Sequence, residues 1–141
     1  MKYITLIFVT VFAVACNNAN NQNQATMETK QELNYNLIGK RGVITFPEMK
    51  GEVNYLSDST LHWETTDNKG VVAEGDEKIS YQMLTDNLHF LNWIEKDGWI
   101  VSQIIDTKNG TVKAYWSFAD ETSTRGKRAS MFVDAKFEFA K

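Results

Sequence analysis

Two glycine-containing turns, Lys96-Asp97-Gly98 and Lys108-Asn109-Gly110, cut residues 88–118 into three apolar-rich runs. Asp-Gly and Asn-Gly between strand-like runs are the strongest short-range hairpin signals a sequence offers. The stretch therefore reads as a three-stranded antiparallel meander, and three of the four tryptophans, Trp93, Trp99 and Trp116, lie in it. The register of the first hairpin stays open. A two-residue turn at Asp97-Gly98 sets Glu95 opposite Ile100, whereas a three-residue turn with Gly98 left-handed sets it opposite Trp99. A slip of one residue exchanges the faces.

The same period of two runs through the chain from Leu33 onward. Strands are expected at 41–47 (closed by Pro47), 51–56, 60–65, 71–73, 78–84 and 129–140, besides the central three. In the last of them Met131, Val133, Ala135, Phe137 and Phe139 share one face, with Ser130, Asp134, Lys136 and Glu138 on the other. One face packs and one meets water. No run carries a 3.6-residue apolar period. The chain is thus all-β, with eight or nine short antiparallel strands in one domain, residues 33–141.

The central strands choose a barrel over a sandwich. They are apolar on both faces: Phe90 and Ile94 against Leu91 and Trp93, Val101 and Ile105 against Ile100 and Ile104. A sheet closed into a single up-and-down barrel lines its interior with one set while the other packs under flanking segments. A barrel of about eight strands is either filled with side chains or holds one small ligand.

The N-terminus reads as an export signal. Lys2 precedes an apolar run at residues 3–14 that is too short for a spanning helix of ~20 residues and suits a signal-peptide core. Ala13-Val14-Ala15-Cys16 follows and resembles a bacterial lipoprotein box, which implies removal of residues 1–15 and lipidation of Cys16. Cleavage by an ordinary signal peptidase, leaving a free thiol, is the alternative. Cys16 is the only cysteine, so no disulfide forms within the chain. Residues 17–32 are Asn/Gln-rich with almost no apolar content, and read as a disordered tether. They would hold the domain ~20–25 Å from a membrane. The expected location is the bacterial cell envelope, with the outer membrane favoured because Asn17 rather than Asp follows Cys16. A net charge of −3 gives no electrostatic case for nucleic acid.

The segments NLIGK (36–40), NWIEKDGWIVSQIID (92–106) and TVKAYWSF (111–118) resemble the MoaF-like family, a branch of the lipocalin-like (calycin) barrels. The resemblance implies a barrel over nearly the whole mature domain. A more distant resemblance is to phenolic acid decarboxylases, through Trp93-Ile94-Glu95, Gly98 and Val101-Ser102, and it implies a catalytic role for Glu95. The rest of that site departs from the family: Val43-Ile44-Thr45-Phe46 stands where a tyrosine pair belongs. Glu74, Asp76 and Glu77 stand where an arginine should clamp the substrate carboxylate, a bidentate task that Lys78 does not reproduce.

Site residues follow from the same pattern. Taken singly, Trp63, Tyr81, Trp93, Tyr115 and Trp116 are more often core residues; as a group in a barrel they are candidate walls of a ligand cavity, since such pockets are mostly apolar and aromatic. Asn92 and Gln103 interrupt apolar strands, and a buried amide needs a hydrogen bond, from a cross-strand partner or from a ligand. Glu95 beside Trp93 is the candidate acid or base if it points inward. His62, His89 and Glu64 lack metal-ligand spacing, so neither metal nor cofactor is expected. The expected function is a membrane-anchored barrel that binds a small hydrophobic or aromatic ligand; the alternative is a small enzyme acting on an aromatic acid or carbonyl compound through Glu95.

Overall fold

The computed structural model describes residues 35–141; the expected leader, Cys16 and the tether lie outside them. Eight strands follow one another: β1 (Arg41–Thr45), β2 (Met49–Tyr55), β3 (Thr60–Asp67), β4 (Val72–Met83), β5 (Leu88–Ile94), β6 (Ile100–Asp106), β7 (Thr111–Ala119) and β8 (Arg128–Phe139). Each pairs antiparallel with its sequence neighbour, and β8 returns to β1 to close an up-and-down barrel. Closure pairs the two terminal strands over four residues, Gly42–Thr45 against Phe139–Lys136, and so covers part of the edges that an open sheet would expose.

Alternation decides which residues fill the interior. Leu91 and Trp93 of β5 and Val101 and Ile105 of β6 point inward and are buried. The opposite set is only partly covered: Phe90 and Ile100 are half-buried, whereas Ile94 is 63% exposed and Ile104 41%.

The runs expected at 71–73 and 78–84 are one strand, the twelve-residue β4. Gly75, Asp76 and Glu77 look like a break, since Gly and Asp are poor strand formers. Pairing overrides that preference: Trp63, Leu61 and His62 of β3 face Gly75, Glu77 and Asp76. The glycine is needed there, because a Cβ at position 75 would come within 2.9 Å of the Trp63 indole. The same device recurs where Phe137 lies over Gly42, at 2.5 Å from the position of an added Cβ.

The two barrel ends differ. At one end the segment before β1 folds back over the opening. Leu37 is fully buried, Gly39 N–H donates to the Tyr55 carbonyl, and Tyr55 N–H donates to the Lys40 carbonyl. The Tyr35 carbonyl accepts from Thr107 Oγ1 at 3.0 Å and meets His89 Nε2 at 3.1 Å. Beneath this plug, Tyr55, Leu61, Leu91, Ile105 and Val112 form a solid core.

At the other end the β1–β2, β3–β4, β5–β6 and β7–β8 loops surround a mouth. β1 pairs with β8 only from Gly42 to Thr45, against Phe139 to Lys136. β8 continues toward the mouth as far as Arg128, paired on its β7 side alone. Phe46 and Pro47 turn away from it, and proline has no N–H with which to extend the ladder. A slot therefore opens in the wall between β1 and the mouth half of β8.

Candidate functional site

Inward-facing residues at the mouth end are large but do not meet, and they enclose a cavity of about 490 Å³. This lies within the ~300–1,000 Å³ typical of small-molecule pockets. All four tryptophans of the chain, Trp63, Trp93, Trp99 and Trp116, line it. The register explains their convergence. Trp93 pairs with Val101, which pairs with Trp116, so two indoles flank one small side chain on neighbouring strands. Trp63 reaches in from β3 across Gly75.

The aromatic wall is continuous from the slot to the first hairpin of the meander. Phe46 and Trp116 have ring centroids 5.2 Å apart, Trp99 meets Trp116 edge-on at 6.3 Å, and Trp99 stacks on Phe118 at 4.6 Å. A second hollow of about 600 Å³ adjoins the cavity across Phe46, Met49 and Trp116, and includes Pro47, Met131 and Val133. It lies at the slot between β1 and β8.

The hairpin after β5 takes the three-residue form. Glu95 N–H donates to the Trp99 carbonyl at 2.8 Å, Gly98 N–H donates to the Glu95 carbonyl, and Gly98 has φ 87°. Glu95 thus sits opposite Trp99 and continues the inward set of Trp93. Its Oε1 accepts from Trp93 Nε1 at 3.3 Å. Burial pushes its carboxyl above the ordinary value; the Trp93 hydrogen bond opposes this, and the charges of Asp97 and Glu77 add to the rise.

Glu77 is a second inward carboxylate, 8% exposed, and accepts from Trp63 Nε1 at 3.4 Å. Neither glutamate has a Lys, Arg or His ion-pair partner among the described residues. No basic side chain among the described residues lines either hollow. Gln103, 5% exposed, lies deeper in the cavity, and its side-chain amide makes no hydrogen bond among the described residues.

Five of the eight expected wall residues therefore come together: Trp63, Trp93, Glu95, Gln103 and Trp116. The other three lie elsewhere. Tyr81 is inward but at the plugged end, its hydroxyl 2.9 Å from His89 Nδ1. Asn92 faces outward and donates to Ser102 Oγ and the Val101 carbonyl, which makes it a cross-strand pair. Tyr115 faces outward against Phe132, with ring centroids 5.0 Å apart. Their even or odd place on a strand settles this, and the face was fixed only by the register.

Trp99, Phe46 and Glu77 escaped the sequence reading of the site. The three-residue turn that brings Trp99 inward was one of two open registers, and Glu77 lay in an apparent strand break. His62 is on the outer face, with Nδ1 2.9 Å from Asp76 Oδ1. No group of three His, Cys, Asp or Glu side chains suited to a metal exists among the described residues.

The family description that matches residues 38–129 is MoaF-like. A crystal structure from Burkholderia vietnamiensis, described as a "putative beta-lactamase", is similar with a TM-score of 0.61 and 17% identity. The match covers 74% of this chain and 95% of that one, and at such identity it speaks for the barrel alone. No curated protein matches the chain.

Proposed function

The chain belongs to the MoaF-like family, and from that premise we propose that it is a binding protein whose barrel holds a small apolar or aromatic molecule at its mouth end. One observation carries the reading. A core of this size should close on itself at near-crystalline packing, yet all four tryptophans stand around about 490 Å³ of space. An apolar wall left unfilled forgoes contacts that a ligand would restore.

Because every tryptophan lines the cavity, intrinsic fluorescence reports on it directly. Titrating residues 33–141 with a panel of one- and two-ring aromatics should shift or quench the emission and raise Tm, as for any ligand bound only by the folded state. Trp116→Ala, which opens the wall toward the slot, should weaken binding. A panel that leaves both emission and Tm unchanged overturns the proposal.

The reading extends to location. Ala13-Val14-Ala15-Cys16 supports a lipid-anchored protein of the cell envelope, with residues 17–32 as the tether. Incorporation of labelled palmitate that survives in Cys16→Ser would refute it. A catalytic version draws support from Glu95, a partly desolvated carboxyl inside the cavity. Glu95→Gln should then abolish turnover in a folded protein. The inward face of β4 presents Ala73, Gly75 and Glu77 in the region where a decarboxylase would need arginine, which argues against an anionic acid as substrate.

A further inference from the structure

We propose that the ligand of this cavity is an organic cation, an ammonium group carried on an apolar or aromatic body. The inference rests on the binding function above and narrows it to a chemical class. Three independent features of the wall point the same way.

The first is the sign of its charge. Glu95 and Asp97 line the cavity, Glu77 lies against Trp63 at its side, and no Lys or Arg among the described residues lines it. Arg128, at the start of β8, donates to the Gly98 carbonyl at 3.0 Å and to the Ser117 carbonyl at 2.7 Å, so it is held on the outer side of the wall. A neutral hydrophobic ligand gives no reason to place carboxylates among tryptophans. Burying a charge without a partner is costly, and a positive ligand supplies the partner. An anionic ligand would face repulsion in a medium that screens charge poorly.

The second is the aromatic lining. Indole is the best of the natural faces for a cation, within about 6 Å of the ring centre. Trp63 and Trp93 each donate their N–H to a glutamate, at 3.4 and 3.3 Å. Each indole thus joins a π face to a nearby carboxylate, which a cation between them engages together.

The third is Gln103, a residue only 5% exposed that lines the cavity and whose side-chain amide makes no hydrogen bond among the described residues. Its amide is accessible from the cavity, where a polar group removed from bulk water calls for a partner. It offers a carbonyl to an N–H donor on the ligand.

The test uses three probes of similar size on residues 33–141: benzyltrimethylammonium, its neutral isostere neopentylbenzene, and phenylacetate. The charge of the first is permanent, so any pH dependence belongs to the protein. Tryptophan emission and calorimetry should show the cation binding about tenfold tighter than the isostere, and phenylacetate weakest. Lowering the pH should weaken the cation alone, as Glu95, whose carboxyl burial holds above its ordinary value beside the charges of Asp97 and Glu77, takes up a proton. Glu95→Gln should lose most of the preference for the cation while neopentylbenzene binds as before. Should Glu77→Gln fail to fold, Glu95→Gln at the partly exposed hairpin still decides.

Equal affinity for cation and isostere, or preference for phenylacetate, overturns this inference and leaves the binding function standing. Failure of all three probes, together with the neutral panel, overturns both.

Discussion

Trp93 Nε1 donates to Glu95 Oε1 at 3.3 Å, two residues apart on one inward face at the mouth of the barrel. The indole holds the carboxylate against an apolar wall, and the bond only partly offsets the burial that raises the glutamate's pKa. A carboxyl whose folded value lies above its unfolded value of about 4.5 is at no disadvantage below that pH, and loses stability as pH rises through the folded value. At neutral pH Glu95 therefore weakens the fold. Glu95→Gln should raise Tm at pH 7 and leave it unchanged near pH 4. A lower Tm at pH 7 would show that the carboxylate is better partnered than its surroundings indicate.

At the plugged end, His89 is fully buried and bridges Tyr81 to the Tyr35 carbonyl. The carbonyl requires Nε2 to carry the proton, which leaves Nδ1 to accept from the tyrosine hydroxyl. Burial lowers the imidazole pKa, against smaller upward pulls from the Tyr35 hydrogen bond and the charge of Asp106. Its contribution is complete above the unfolded value of 6.5 and is lost as pH falls from there through the folded value. His89→Gln keeps a donor and an acceptor but does not titrate. Its stability should fall less than that of the wild type as pH drops below 6.5, measured by denaturant melts. Parallel pH profiles would remove His89 from the acid response.

Tyr55 is 1% exposed and its hydroxyl has no hydrogen-bond partner among the described residues. Burial drives the phenol strongly upward, so it stays neutral at any physiological pH. An unpaired buried hydroxyl costs roughly 1–3 kcal/mol. Tyr55→Phe should accordingly stabilise the domain by about 1 kcal/mol, or roughly 4 °C in Tm. Destabilisation on calorimetry would mean that the hydroxyl is satisfied in solution.

Gly75 lets the Trp63 indole lie on the backbone of β4, where an alanine Cβ would stand 2.9 Å from two ring atoms. Gly75→Ala should push the indole into the cavity, at a cost of about 1–3 kcal/mol. Tryptophan emission should shift and aromatic ligands should bind more weakly. Unaltered emission with unaltered affinity would show that the strand yields instead of the ring.

Much of the barrel was legible in the sequence, for a local reason. Alternation along β5, β6 and β8 and the Asp-Gly and Asn-Gly turns depend on residues within a few positions of one another, so they fix strands and their order. The inward face of β8, with Val133, Ala135 and Phe137, was read directly from its period of two. Which residues meet around the cavity was decided by tertiary structure. The three-residue hairpin put Glu95 opposite Trp99, and pairing with β3 carried β4 through Gly75 to turn Glu77 inward. Both depend on register between strands, where a shift of one residue exchanges every side chain between cavity and solvent. No local pattern encodes that choice; closing the sheet on itself does.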